Sequence, residues 1–139
     1  MVTRTSKDDR KQIVNTVREF VKRDVEPIAS AYDNDDIYPH ELIPKLQELG
    51  LFGITIPIEY GGMELDFTTF AMIFEEISKG WMSLSGIIGT HHVLSHIVST
   101  YGTDEQKERI LPRMATGELR GGLALTESDA GSDAQNIST

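Results

Sequence analysis

The residues best placed to do chemistry lie near the C-terminal end of the chain, in the run Leu123, Ala124, Leu125, Thr126, Glu127, Ser128, Asp129, Ala130, Gly131, Ser132, Asp133. A strand-like apolar stretch, a hydroxyl at Thr126, a flexible turn at Gly131 and a second hydroxyl at Ser132 offer a ligand both backbone and side-chain hydrogen bonds. Glycine permits close backbone approach. Successive N–H groups in such a turn can cradle phosphate oxygens, provided that Glu127, Asp129 and Asp133 point away. A strand, a tight turn and an Asp or Ser cap account for the same residues structurally, so their types alone leave both readings open.

Three other groups invite a chemical reading. His92 and His96 are four apart and share a helix face, as paired metal ligands do, but no Glu stands between them as in a metalloprotease and no third ligand is evident. Asp33 to Asp36 forms an acidic turn without the ligand spacing or closing Glu of a calcium loop. Glu75 and Glu76 follow an apolar helical face and read as meeting solvent or partner residues rather than as a catalytic base. No metal site is expected.

The elements that must position these groups follow from periodicity. Ile13, Val17, Phe20, Val21, Val25 and Ile28 recur at three- and four-residue spacing and predict a helix from Ser6 to Ser30, with Ser6 and Asp9 as its capping box. Pro39 opens a second helix bearing Leu42, Leu46 and Leu49, which Gly50 ends and Pro44 splits or kinks. Leu51 to Ile58 reads as a buried extended connection closed by Gly61 and Gly62. Asp66 caps a third helix carrying Phe67, Phe70, Phe74 and Ile77, ending at Gly80. Leu84 to Tyr101 forms a fourth, apolar around most of its circumference and therefore central, with Trp81 as a core or interface anchor. Thr103 and Gln106 box the start of a short charged helix that ends near Pro112 or by Gly117. Leu123 to Thr126 is the one convincing strand, and a lone strand is not stable as a sheet. The fold class is mainly α: a bundle of about five helices over residues 1–120, followed at 121–139 by the start of a β-structured domain.

The composition of the 139 residues, 39% hydrophobic and 25% charged, suits a soluble globular domain. A net charge of −9 argues against a nucleic-acid surface. The absence of cysteine removes disulfides, thiolate metal sites and a Cys nucleophile. The N-terminus has neither the apolar stretch of a secretory signal nor the acid-poor character of a transit peptide, so a cytoplasmic start is expected. The uncharged stretch from Trp81 to Thr103 is too polar for a membrane span, given His91, His92 and His96.

The segment from Ala124 to Asp133 resembles the flavin-site motif of acyl-CoA dehydrogenases. The resemblance extends upstream through Leu46 to Gly53, the Pro57 to Gly62 turn, Phe74 to Ser78, Tyr101 to Lys107 and Leu111 to Gly117, in that order. Two residues depart from the pattern: Ser128 stands where the family often has proline, and Asn136 where a small residue is common. The resemblance implies FAD in a cleft between this domain and two others. Leu123, Ala124, Leu125, Thr126, Gly131 and Ser132 would line it, Leu125 and Thr126 near the isoalloxazine and Gly131 and Ser132 near the pyrophosphate. It implies that Ser132 faces an acyl-CoA, that Gly89, Thr90 and His91 contact the acyl group, and that the catalytic base lies in a C-terminal domain. It further implies electron transfer to an electron-transfer flavoprotein and assembly as a homo-tetramer. The expected reaction is α,β-dehydrogenation to a trans-2-enoyl-CoA, with the chain alone inactive. A non-catalytic helical interaction module, or a His-based metal-binding helical protein, is the alternative.

Overall fold

The computed structural model describes residues 5–139; the part of the N-terminal reading that rests on residues 1–4 lies outside the described residues. Its architecture is helical: α1 (Lys7–Phe20), a π turn (Val21–Val25), α2 (Glu26–Asn34), α3 (Leu42–Glu48), α4 (Phe67–Gly80), α5 (Met82–Tyr101) and α6 (Asp104–Ala115). Because α1, the π turn and α2 form one continuous rod, the bundle has five helical rods among the described residues.

The first rod runs past the expected end at Ser30 to Asn34, and its π turn has an identifiable cause. Pro27 has no N–H to bond the Arg23 carbonyl four residues back, and in an α-helix its ring would press on that carbonyl. Widening the turn just before it relieves both conflicts. At the N-terminus, Ser6 accepts a hydrogen bond from the Asp9 amide at 3.1 Å. The second helix begins at Leu42 rather than Pro39. Pro39 instead sits buried in a turn whose carbonyl accepts from the Leu42 amide. Pro44 falls in the first turn of α3, where its missing N–H has no intrahelical partner to lose, so it causes no break.

The buried connection expected from Leu51 to Ile58 is buried only to Ile56, with Leu51, Phe52, Ile54 and Ile56 at 2% exposure or less and Ile58 exposed in a short 3-10 turn. It is bent rather than extended, and the amides of Met63 and Leu65 return to the carbonyls of Gly53 and Ile54. That return needs Gly62, since a Cβ there would lie 2.0 Å from the Ile56 carbonyl oxygen. Asp66 caps α4 by accepting from the Thr69 amide at 3.0 Å, and Arg10 from α1 donates to the same carboxylate. Burial works to raise the Asp66 carboxyl, but the bonds from Thr69, Arg10 and Thr5 together outweigh it and hold the group well below the usual carboxylate range.

The main core joins Val17, Phe20 and Val25 of the first rod to Leu46 of α3, Ile73 and Ile77 of α4, and Leu84 and Ile88 of α5. A smaller cluster places Leu111 and Met114 of α6 under Ile56. α5 packs against α4 and α6 but is not buried around its circumference as expected: Leu84, Ser85, Ile88, His91, His92 and Ser95 form one buried face, while Met82, Val93, Ile97 and Tyr101 are exposed. Trp81 is the expected anchor: it is 8% exposed and its Nε1 donates to Asp33 at 2.9 Å. Among the described residues no helix is long and apolar enough to cross a membrane.

The Thr103 hydroxyl accepts from the Gln106 amide while the Gln106 side chain accepts from the Thr103 amide, completing the capping box of α6. Replacing Thr103 with Ala is expected to cost about 1 kcal/mol, read as a lowered denaturation midpoint with unchanged m-value. α6 continues through Pro112 to Ala115, and Gly117 then reverses the chain at φ 74°.

The expected strand at Leu123 to Thr126 is absent. Among the described residues this stretch belongs to no ladder, and residues 121–126 make no backbone hydrogen bond. A strand is defined by its partners, and none is present here to pair with this one.

Candidate functional site

Three features bring the C-terminal segment beside α5. Gly117 turns the chain away from α6. The Arg120 guanidinium then donates to the Tyr38 hydroxyl at 2.8 Å, tying the segment to the loop ahead of α3. Gly121 and Gly122 next pass close to α5: a Cβ at Gly121 would meet Leu94 Cδ2 at 2.1 Å, and one at Gly122 would lie 3.8 Å from Thr90. Any larger residue at position 121 would have to push the Leu94 side chain aside.

Beyond the glycines, Leu123 and Leu125 are 55% and 44% exposed, and Ala124, Thr126 and Ser132 are also exposed. The chain folds back at Ala130, which is buried, where the Glu127 amide donates to the Ala130 carbonyl at 2.7 Å. This turn brings Gly131 against Thr126, whose Cγ2 would be 3.2 Å from a Cβ at Gly131. Thr126 and Gly131 therefore meet at one turn, with Ser132 the next residue along the chain. Glu127 is engaged elsewhere, accepting from the Ser138 and Thr139 amides at 2.9 and 3.0 Å. Its carboxyl is lowered first by the Thr139 hydroxyl and then by these amides.

The three α5 residues expected to touch an acyl group point in three directions, because consecutive helical residues are about 100° apart. Thr90 is exposed and adjoins Gly122. Gly89 faces α4, with Phe74 Cε1 3.3 Å from where its Cβ would be. His91 points inward, 0% exposed, with Nε2 3.1 Å from the Phe52 carbonyl. Its other ring nitrogen makes no hydrogen bond of standard geometry. Of the three, only Thr90 adjoins the C-terminal segment.

The remaining titratable groups are structural. The His92 ring lies 2.9 Å from both the Leu51 carbonyl, through Nε2, and the Thr55 hydroxyl, through Nδ1, so both nitrogens are engaged. Since a carbonyl only accepts, Nε2 carries the proton and Nδ1 accepts from Thr55. Glu76 is buried and held by Arg18 at 2.9 and 3.0 Å; that bond first, and Lys79 second, lower its carboxyl to about 2. A carboxylate so held is a poor base at neutral pH. Glu75 is exposed and pairs with Lys79 at 2.9 Å.

The residues matched by the acyl-CoA dehydrogenase N-terminal domain profile are 7–118, which is most of the chain. The chain belongs to the acyl-CoA dehydrogenase family. It is similar to the short-chain-specific acyl-CoA dehydrogenase of Clostridium acetobutylicum, at 36% identity over 84% of this chain and 31% of that protein. It is also similar to the acryloyl-CoA reductase (NADH) of Anaerotignum propionicum, at 35% identity over 94% of this chain and 33% of that protein. Among solved structures, a glutaryl-coenzyme A dehydrogenase in complex with glutaryl-CoA superposes with a TM-score of 0.88 at 32% identity, covering 99% of this chain and 36% of that one. The chain thus spans about one third of the length of the acyl-CoA dehydrogenase relatives it matches. Its helical bundle is their N-terminal domain.

Two features of the site carry no sequence motif. The Arg120 to Tyr38 bond links positions 82 apart, and nothing local marks either residue. A cavity between α4 and α5 carries no local motif either, its one glycine being Gly89, which lies beside Phe74.

Proposed function

We propose that this chain forms one wall of the flavin and acyl-CoA cleft of an FAD-dependent acyl-CoA oxidoreductase, with residues 121–139 beginning the domain that follows the bundle. The single observation that carries this reading is the segment from Gly121 to Thr126, held beside α5 with its backbone hydrogen-bonding groups unused. Unpaired N–H and C=O groups seek partners. An isoalloxazine, flat and rimmed with donors and acceptors, suits the exposed edge at Leu125 and Thr126. The turn that gathers Gly131 and Ser132 suits pyrophosphate oxygens, because the Glu127 carboxylate is bound to the chain at Ser138 and Thr139. FAD, when bound, supplies the hydride acceptor for oxidation of the acyl Cα–Cβ bond. The part of this chain is to bind, orient and exclude water: Leu123 and Leu125 shield the ring system, and Thr126 and Ser132 offer hydroxyls. Ser132 also faces the acyl-CoA, and Thr90 and Gly89 border its acyl group. His91 acts behind that border, through the Phe52 carbonyl it holds.

The base belongs to a part of the parent protein outside these residues. Glu76 is committed to Arg18 and Glu127 to the chain itself, which leaves neither free to take an α-proton. An electron-transfer flavoprotein as acceptor and a homo-tetrameric assembly complete the reading.

Visible spectroscopy of the purified chain with FAD added tests it directly. The expected result is a perturbed flavin spectrum that weakens in Thr126→Ala and in Ser132→Ala, with no enoyl-CoA formed from acyl-CoA. An unperturbed spectrum with a cooperatively folded chain would overturn the assignment of the segment, and enoyl-CoA production would overturn the placement of the base.

A further inference from the structure

Between α4 and α5 lies a cavity of about 270 Å³ whose lining is almost wholly apolar. It is larger than the apolar cavities of about 150 Å³ that stay dry and accept benzene. Its walls are unusually rich in rings: Phe67 and Phe70 come from α4, and His92 and His96 from α5, with Val93 and Ile97 completing the α5 side. Of these rings, Phe70 meets His92 edge to face at 5.3 Å and 88°, and behind them Phe74 meets His92 at 6.4 Å and 67° and lies tilted at 34° against Phe70. Both His92 nitrogens are spent on Leu51 and Thr55, so that ring contributes carbon rather than polar surface to the cavity. Phe67 at 68% exposure and Val93 at 47% stand at the rim.

We propose that this cavity is a binding site for a flat, uncharged aromatic group. Ring walls set edge to face favour a guest whose own quadrupole continues the pattern, an advantage a saturated group of equal volume lacks. Charge is disfavoured by the almost wholly apolar lining, where Thr55 and His92 are bonded to each other and only His96, at the exposed side, has a ring nitrogen without a hydrogen-bond partner. Gly89 lines the same cavity and borders the acyl group in the function proposed above. On that reading, and resting on it, the guest is the distal end of an aryl-substituted acyl thioester.

The test uses the 139-residue chain with benzene and cyclohexane as probes, followed by NMR shifts of the Val93 and Ile97 methyl groups. Benzene is expected to bind at least about three-fold more tightly than cyclohexane. In Phe70→Leu, the preference is expected to collapse toward parity while cyclohexane binding persists. Val93→Trp, at an exposed position that tolerates size, is expected to block both. Equal affinity for the two probes, a preference that survives Phe70→Leu, or binding of neither probe overturns the proposal. Neither probe carries a CoA or a flavin. Failure here therefore leaves the proposed cleft intact, and failure of the FAD titration leaves this site intact.

Discussion

Acidification from pH 7 to pH 4 is expected to destabilise the chain by on the order of 3 kcal/mol through His92 alone. Burial, only partly offset by the Leu51 carbonyl and reinforced by neighbouring His91, pushes the His92 pKa down to about 4 from an ordinary 6.5. The unfolded chain therefore takes up a proton below pH 6.5, whereas the folded chain resists until about pH 4. Between those values the unfolded state binds more protons, so stability is complete above pH 6.5 and falls as the pH drops through the window. His91 moves in the same direction, chiefly through burial, with Arg120 adding to the effect against its carbonyl contacts. Glu76 and Asp66, both lowered, add their losses at still lower pH. Thermal melts across pH 7 to 4 check this: the midpoint should fall by roughly 10 °C. His92→Gln should start lower, having weakened the ties to Leu51 and Thr55, and should show a flatter profile between pH 6.5 and 4. A wild-type profile already flat over that window would refute the role given to His92.

Phe52→Ala is expected to cost about 3 to 5 kcal/mol, the range for removing a fully buried phenylalanine. Phe52 is 0% exposed, and its ring meets His91 edge to face at 5.1 Å. It also occupies the space a side chain at Gly117 would take: a Cβ there would sit 2.4 Å from Phe52 Cδ2. Gly117→Ala is therefore disfavoured twice, by its positive φ and by this collision. Only the collision depends on Phe52. In the Phe52→Ala background, Gly117→Ala should thus cost less than in the wild type, by a coupling of roughly 1 kcal/mol or more in a double-mutant cycle. Strict additivity in denaturant melts would show that the ring does not set the turn. Since that turn directs the chain toward Gly121 and α5, the same pair links core packing to the geometry of the candidate site.

Much of this fold was legible because its signals are local. Asp66, Thr103 and Gly50 mark helix ends through bonds or dihedrals confined to a few residues. Errors arose where a distant or missing partner decides the outcome. Leu123 to Thr126 has the composition of a strand, but composition supplies no neighbouring strand. Pro27 was concealed within a strong apolar period, and only the three-dimensional path shows the helix absorbing it. For the site, a contiguous motif singled out Thr126, Gly131 and Ser132, and the turn lays Gly131 against Thr126. His91 was grouped with Gly89 and Thr90 by the family resemblance, and on the helix the three side chains point apart, His91 toward the Phe52 carbonyl. Arg120 with Tyr38 was invisible for the opposite reason, since the two meet only through the folded path.

The π turn at Val21–Val25 also bears on how the length of this chain can change over evolutionary time. A wide turn holds one residue more than an α-helical turn, so it stores a spare residue without altering the phase of the helix on either side. Loss of a residue anywhere else in the first rod would rotate everything beyond it by about 100°, carrying Asp33 away from Trp81 or Arg18 away from Glu76. Loss at exposed Lys22 would instead close the wide turn to an ordinary one and keep both pairs in register. Such a deletion would, however, press Pro27 back onto the preceding turn, so the two changes are tied: the spare residue becomes dispensable only in a lineage that has first given up the proline.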